Sequence, residues 1–168
     1  ITIKLVLFSK SSLQISNLQV DQQDRSEPNN LYENIPLQEW MPNNQYATFD
    51  NQLWNISTRN LTNTYTTISS GLLPVNAGST IKTTISAKVG LLPENQGQCY
   101  LEIQQFTNYW DQIDNSKNID NHIEATDSKF KDLTFINKLN DDTNYIKVNM
   151  VVKNNADFQL QSIKGECV

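Results

Sequence analysis

The sequence predicts an all-β chain, a two-sheet antiparallel β-sandwich of about eight to ten strands. Three observations predict it. VNAGSTIKTTISAKVG, residues 75–90, sets Ile81, Thr83, Ile85, Ala87 and Val89 against Thr80, Lys82, Thr84, Ser86 and Lys88. Period-two alternation of this kind marks a strand with one face on a core and one in water. QCYLEIQQF (98–106) and YIKVNMVVK (145–153) repeat the pattern, the latter with Ile146, Val148, Met150 and Val152 in phase. Finally, apolar residues nowhere recur at three and four over a dozen positions, so no crossover helices join the strands.

Taken in order, ITIKLVLF at the start alternates as a first strand, although a stub left by a removed signal or anchor would read the same way. The initial Ile suits a processed protein or an excised segment. SNLQVDQQDRSEPNN has loop composition and contains Pro28. Pro36 and Pro42 deny a continuous element to NLYENIPLQEWMPNNQYATFD. Short extended pieces follow around Trp54 (QLWNIST) and in TNTYTTISSG, then a turn at Ala77-Gly78 and the strand ending near residue 90. Residues 108–129 are polar and read as a long loop with at most one helical turn. FKDLTFINK, 130–138, returns to strand character, NDDTNY and NNAD are turns, and FQLQSIKG closes the chain.

Composition bounds the function. The 168 residues are taken as one domain, 1–168, large enough to bury a core. Hydrophobic residues are 38% and charged residues 18%; the balance is amide, with 22 Asn and 14 Gln. Amides carry donors and an acceptor that suit sugar hydroxyls, but AT-rich coding bias produces the same excess. A net charge of −5 and the absence of a basic run argue against nucleic acid, and no apolar stretch is long enough to span a membrane. NIS at Asn55 and NLT at Asn60 match glycosylation sequons, a weak signal in a chain this rich in Asn, Ser and Thr. Cys99 and Cys167 form a possible disulfide that would suit an exported protein; two unpaired thiols are the alternative.

The order NLYENIPLQEW, a Trp-bearing strand, VNAGSTIKTTISAKVG, YLEIQQF, FKDLTF, YIKVNMVV and DFQLQSIKG resembles the jelly-roll carbohydrate-binding module appended to bacterial glycoside hydrolases, phage tail proteins and cell-surface proteins. The likeness covers roughly residues 30–166 and rests on core positions and turns. It implies a jelly roll, an extracellular or cell-surface location within a larger protein, and polysaccharide as partner. Such modules often hold a structural calcium against an Asp on the last strand. Gln161 stands there in this chain, which puts that calcium in doubt and leaves no cofactor expected. The polar run DQIDNSKNIDN (Asp111, Asp114, Asn115, Asn118, Asp120) lacks the spacing of a calcium loop and reads as solvated.

Catalytic chemistry has little to work with. His122 is the single histidine, no nucleophile elbow is present, and Glu102 and Asp132 form no paired-carboxylate motif, so no enzymatic activity is expected. Binding has more. Aromatic rings stack on the apolar C–H face of a sugar while amides meet its hydroxyls. The candidates are Trp110 and Tyr109 with Asn108, Gln104 and Asp111 beside them. Tyr100 joins them on the strand face that also carries Glu102, Gln104 and Phe106. Trp54 and Trp40 are second choices: Trp54, beside Leu53 and Ile56, equally suits a core, and Trp40 a plug at one end of the sandwich. The polar face of residues 80–88 lacks an aromatic and is read as plain solvated surface. A carbohydrate-binding module is thus the first expectation. A structural or adhesive spacer domain of an envelope or phage-tail protein is the alternative.

Overall fold

The computed structural model describes residues 36–92 and 97–168; the expected opening strand ITIKLVLF lies outside them. Among the described residues there are eleven strands: β1 Met41–Pro42, β2 Ala47–Asp50, β3 Leu53–Ser57, β4 Tyr65–Ser69, β5 Leu73–Pro74 and β6 Thr80–Leu91, followed by β7 Gln98–Phe106, β8 Ile119–Ile123, β9 Lys131–Lys138, β10 Tyr145–Lys153 and β11 Ala156–Cys167. Two single 3₁₀ turns, Leu37–Glu39 and Asn115–Lys117, are the helical elements among the described residues. One sheet has six strands in the order β1-β4-β10-β7-β8, with β5 also on β10; the other runs β2-β3-β11-β6-β9. Every pairing is antiparallel. The expected two-sheet jelly roll is the architecture observed.

The core lies where alternation puts it. Ile81, Ile85, Ala87 and Val89 of β6, with Trp54, Ile56, Phe158 and Leu160, face Leu101, Ile103, Val148 and Met150 of the other sheet, all buried. Trp40 and Trp54 are 2% and 4% exposed. The Trp54 indole N–H donates to the Leu37 carbonyl at 2.6 Å, and its ring packs on Phe49 at 5.3 Å. Nearly fully buried and with its polar atom engaged, Trp54 is a core residue and offers no sugar a surface.

Two expectations need correction. First, the polar run 108–129 is not simply a loop. IDNHI forms β8 along the edge of β7, pairing Asp120 with Glu102 and His122 with Tyr100. Its 3₁₀ turn is capped by the Asp114 carboxylate, which accepts from the Ser116 backbone N–H at 2.9 Å; this capping holds its carboxyl below the usual range.

Second, Cys99 and Cys167 are free thiols. Cys99 pairs with Val152, beside the turn that starts β11, whereas Cys167 ends β11 opposite Ile81. An antiparallel strand of that length holds its ends roughly 35 Å apart, while a disulfide needs Cα atoms within about 7 Å.

Gln161, where the family carries an Asp, is the exposed extra residue at a bulge in β11. Among the described residues no group of three His, Cys, Asp or Glu side chains is arranged to hold a metal.

Candidate functional site

The outer face of the six-stranded sheet collects the polar and aromatic side chains that alternation turns away from the core. In register across it stand Ser69, Asn149, Glu102 and Asp120, and in the next row Thr67, Val151, Tyr100 and His122. Glu102 is the hub. Its Oε2 accepts from Asn149 Nδ2 at 2.5 Å and Gln104 Nε2 at 3.0 Å, and its Oε1 from Asn118 Nδ2 at 3.5 Å. One carboxylate held by three amides is a fixed polar array, because each partner restrains the others.

At one end of this array the Lys153 ammonium lies 5.0 Å from the Tyr100 ring centre and 5.5 Å from that of Tyr65. Both contacts are within cation–π range. His122 tilts against Tyr100 at 5.8 Å. Burial, then the nearby carboxylates of Glu102 and Asp120, pushes the Tyr65 and Tyr100 phenols up to about 12.

At the other end β7 finishes at Phe106, opposite Tyr145. The chain then turns tightly: the Thr107 N–H donates to the Asp111 carbonyl, the Trp110 N–H to the Thr107 carbonyl, and the Tyr109 N–H to the Thr107 hydroxyl. Trp110 closes the turn with φ +67°, a left-handed conformation that costs a bulky residue about 1–2 kcal/mol. Its indole meets the Tyr145 ring edge-on at 6.4 Å yet remains 66% exposed, and Tyr109 is 79% exposed. Strain of this kind persists where surrounding structure enforces it, and it concentrates at functional positions. Below the turn, buried Gln105 enforces the geometry. Its carbonyl accepts from the Asn140 N–H and the Thr143 hydroxyl, its amide donates to the Lys117 carbonyl, and its backbone carbonyl accepts from Ile113.

The residues singled out from sequence therefore fall into two groups. Trp110, Tyr109 and exposed Asn108 share the turn after β7, and Gln104 belongs to the array behind it. Tyr100 lies on the same face but six positions back along β7, roughly 20 Å from Phe106, and is itself largely buried. Sequence reasoning missed Tyr65, Tyr145, Asn149 and Lys153 and read Asp120 as part of a solvated run. Tyr65 sits in a short extended piece and the other three on β10, and only the pairing of β4 and β10 with β7 could reveal a shared face. Asp120 was hidden in a five-residue edge strand with two apolar anchors, Ile119 and Ile123.

No family model matches the chain, and no curated protein is similar to it. Solved structures are. A carbohydrate-binding module described as CBM4 superposes with a TM-score of 0.54 at 14% identity, over 85% of this chain and 96% of that one. A family 16 carbohydrate-binding module gives 0.50 at 13%, over 82% and 96%. The Clostridium thermocellum xylanase 10B CBM22-1–GH10 modules, complexed with xylohexaose, give 0.53 at 10% identity over 82% of this chain. The enzymatically active domain of bacteriophage CBA120 tailspike protein 4 gives 0.54 at 8% over 77%. This chain spans 28% of the xylanase chain and 18% of the tailspike chain. The fold is thus the jelly-roll β-sandwich that carbohydrate-binding modules share.

Proposed function

We propose that the chain is a non-catalytic carbohydrate-binding module, one domain over residues 1–168 of a larger extracellular or cell-surface protein, and that it recognises a neutral polysaccharide. The observation that carries the reading is the Trp110 indole, exposed and held on a left-handed backbone at the end of a sheet face rich in amides. A sugar ring stacks on Trp110 and Tyr109, and the chain of rings continues toward Gln104, Glu102 and Asn118. There a carboxylate and amides accept from and donate to hydroxyls. Lys147 and Lys153 on the same face offset the charges of Glu102 and Asp120, so no net charge draws in an acidic glycan, which favours a neutral one. The known binding or catalytic partners of the similar folds lend plausibility and nothing about the particular glycan.

The test is affinity electrophoresis in gels containing soluble xylan, mixed-linkage β-glucan or galactomannan. Retardation of the wild-type chain in at least one gel, abolished in Trp110→Ala, is expected. Unretarded migration in every neutral gel would leave the spacer or protein-contact role as the better account.

A further inference from the structure

The second sheet has an outward depression of its own, a trough of about 610 Å³ floored by β3, β11 and β6. That is a ligand-sized volume. Its cause is local. In one outward row Ser57 pairs with Asp157 and Asp157 with Gly90; in the next, Thr48, Asn55, Gln159 and Lys88 stand side by side. Gly90 contributes no side chain, so the row ends in a gap. Glycine inside a strand commonly marks a close approach by something else. Nothing in the backbone requires it: a Cβ there would sit 3.8 Å from the Asp157 Cβ, an ordinary contact. One wall is the turn at Gln45-Tyr46. The other is the segment through Ser128, docked on β6 by the Val89 N–H to the Thr126 hydroxyl and the Thr126 N–H to the Val89 carbonyl.

The charges inside the trough are unevenly matched. Asp157 is fully engaged, accepting from Arg59 Nε at 3.0 Å, Arg59 Nη2 at 2.5 Å and Ser57 Oγ at 2.7 Å. Gln159 Nε2 donates to Asn55 Oδ1 at 2.7 Å, which leaves an amide N–H pair on Asn55 and a carbonyl on Gln159 facing outward. Asp127, beside the wall, pairs with Lys131. Lys88 is half-buried and, among the described residues, has no carboxylate within ion-pair distance; Asp132 stands opposite Ser86 instead. The trough therefore carries one net positive charge on a chain of net −5. A compact anion is the group that would complete it.

We propose that this trough binds a uronic-acid residue of an acidic polysaccharide, independently of the neutral-glycan face. The sugar carboxylate sits on the Lys88 ammonium. Lys88 and Asn55 flank Gln159 two strand spacings apart, about 10 Å, so the ring lies across Gln159 with hydroxyls on the two amides. Tyr46 lines the rim, and its exposed ring offers an apolar surface to the sugar's edge. A module with a neutral site on one sheet and an acidic site on the other would bridge two kinds of polysaccharide, a link that neither site makes alone.

Titration calorimetry with oligogalacturonate, repeated at low and high salt, tests it on five proteins: wild type, Lys88→Gln, Gly90→Val, Gln159→Ala and Trp110→Ala. Wild type and Trp110→Ala are expected to bind alike, with affinity falling as salt rises. Lys88→Gln and Gly90→Val are expected to bind at least about tenfold more weakly, the first by losing one charge-assisted contact and the second by filling the gap over Gly90. Valine suits a strand, so Gly90→Val should unfold at or above the wild-type temperature. Gln159→Ala is the second probe of the floor and should also weaken binding. Absence of oligogalacturonate binding would overturn the proposal. So would binding weakened by Lys88→Gln but untouched by both floor variants, since that marks a bare point charge. Loss in Trp110→Ala with both floor variants normal would assign the acidic sugar to the other face.

Discussion

Trp110 offers the sharpest perturbation, because replacing it by Gly or by Ala removes the same indole but treats the backbone differently. With φ at +67°, Ala keeps the left-handed penalty while Gly sheds it. The indole is 66% exposed. Roughly a third of the area of a large aromatic, about 80 Å², is withdrawn from water, worth up to about 2 kcal/mol. The edge-on contact with Tyr145 adds about 1 kcal/mol. Relief of the left-handed strain returns about 1–2 kcal/mol, so Trp110→Gly should cost a net of about 1–2 kcal/mol. Trp110→Ala should cost about 1 kcal/mol more than Trp110→Gly. A truncated core Trp typically costs about 3–5 kcal/mol. Urea denaturation followed by far-UV circular dichroism measures both variants, and affinity electrophoresis measures their binding. Equal loss of glycan retention with Gly the more stable of the two is the expected pattern. An Ala variant as stable as the Gly variant would refute the strained turn. A Trp110→Gly cost of core size would refute the exposed ring.

Other consequences follow from the same packing. The Tyr65 and Tyr100 phenols are raised from 10.0 to about 12, so the folded chain holds those protons more tightly than the unfolded one. The stabilisation is whole below pH 10 and lost as pH climbs through about 12. Spectrophotometric titration should show Tyr65 and Tyr100 ionising late, and ordinary ionisation of both would contradict their burial beside Glu102 and Asp120. Because Cys99 and Cys167 sit at opposite ends of the sandwich, dithiothreitol should leave the unfolding temperature unchanged and denatured chains should yield two free thiols; a reductant-dependent transition would count against the strand register. Gln105→Ala strands the Asn140 N–H, the Thr143 hydroxyl and the Lys117 carbonyl, and should cost about 2–4 kcal/mol. A cost under about 0.5 kcal/mol, as at an ordinary surface site, would show that water replaces it.

The sandwich was legible wherever one face is dry and the other wet. β6 and β7 declare themselves through unbroken alternation, and the face of Tyr100, Glu102, Gln104 and Phe106 follows from phase alone. Elsewhere the signal gave out for identifiable reasons. β8 pairs along a single edge with two buried-side isoleucines, too few to show a period against a polar background. Val151 points outward on β10 yet is fully buried among its neighbours, which blurs that strand's alternation. The left-handed turn at Trp110 carries no Gly or Asn at the strained position, so no turn chemistry announces it. Cysteine pairing depends on where strands end in space, which spacing along the chain does not encode. The face of Thr80 to Lys88 reads as plain solvated surface in one dimension. Its Lys88 end becomes a trough only when Tyr46 and Ser128, more than thirty residues away on either side, supply the walls.

The central claim is that Trp110 is a glycan-stacking ring, and the most direct measurement is acrylamide quenching of tryptophan fluorescence with and without soluble neutral polysaccharides. Trp40 and Trp54 are buried, so one of the three tryptophans should be freely quenched, and that component should vanish in Trp110→Phe. Protection of the component by xylan, β-glucan or galactomannan is the predicted result. A Trp110 signal that stays fully quenchable at saturating concentrations of every neutral polysaccharide would contradict it.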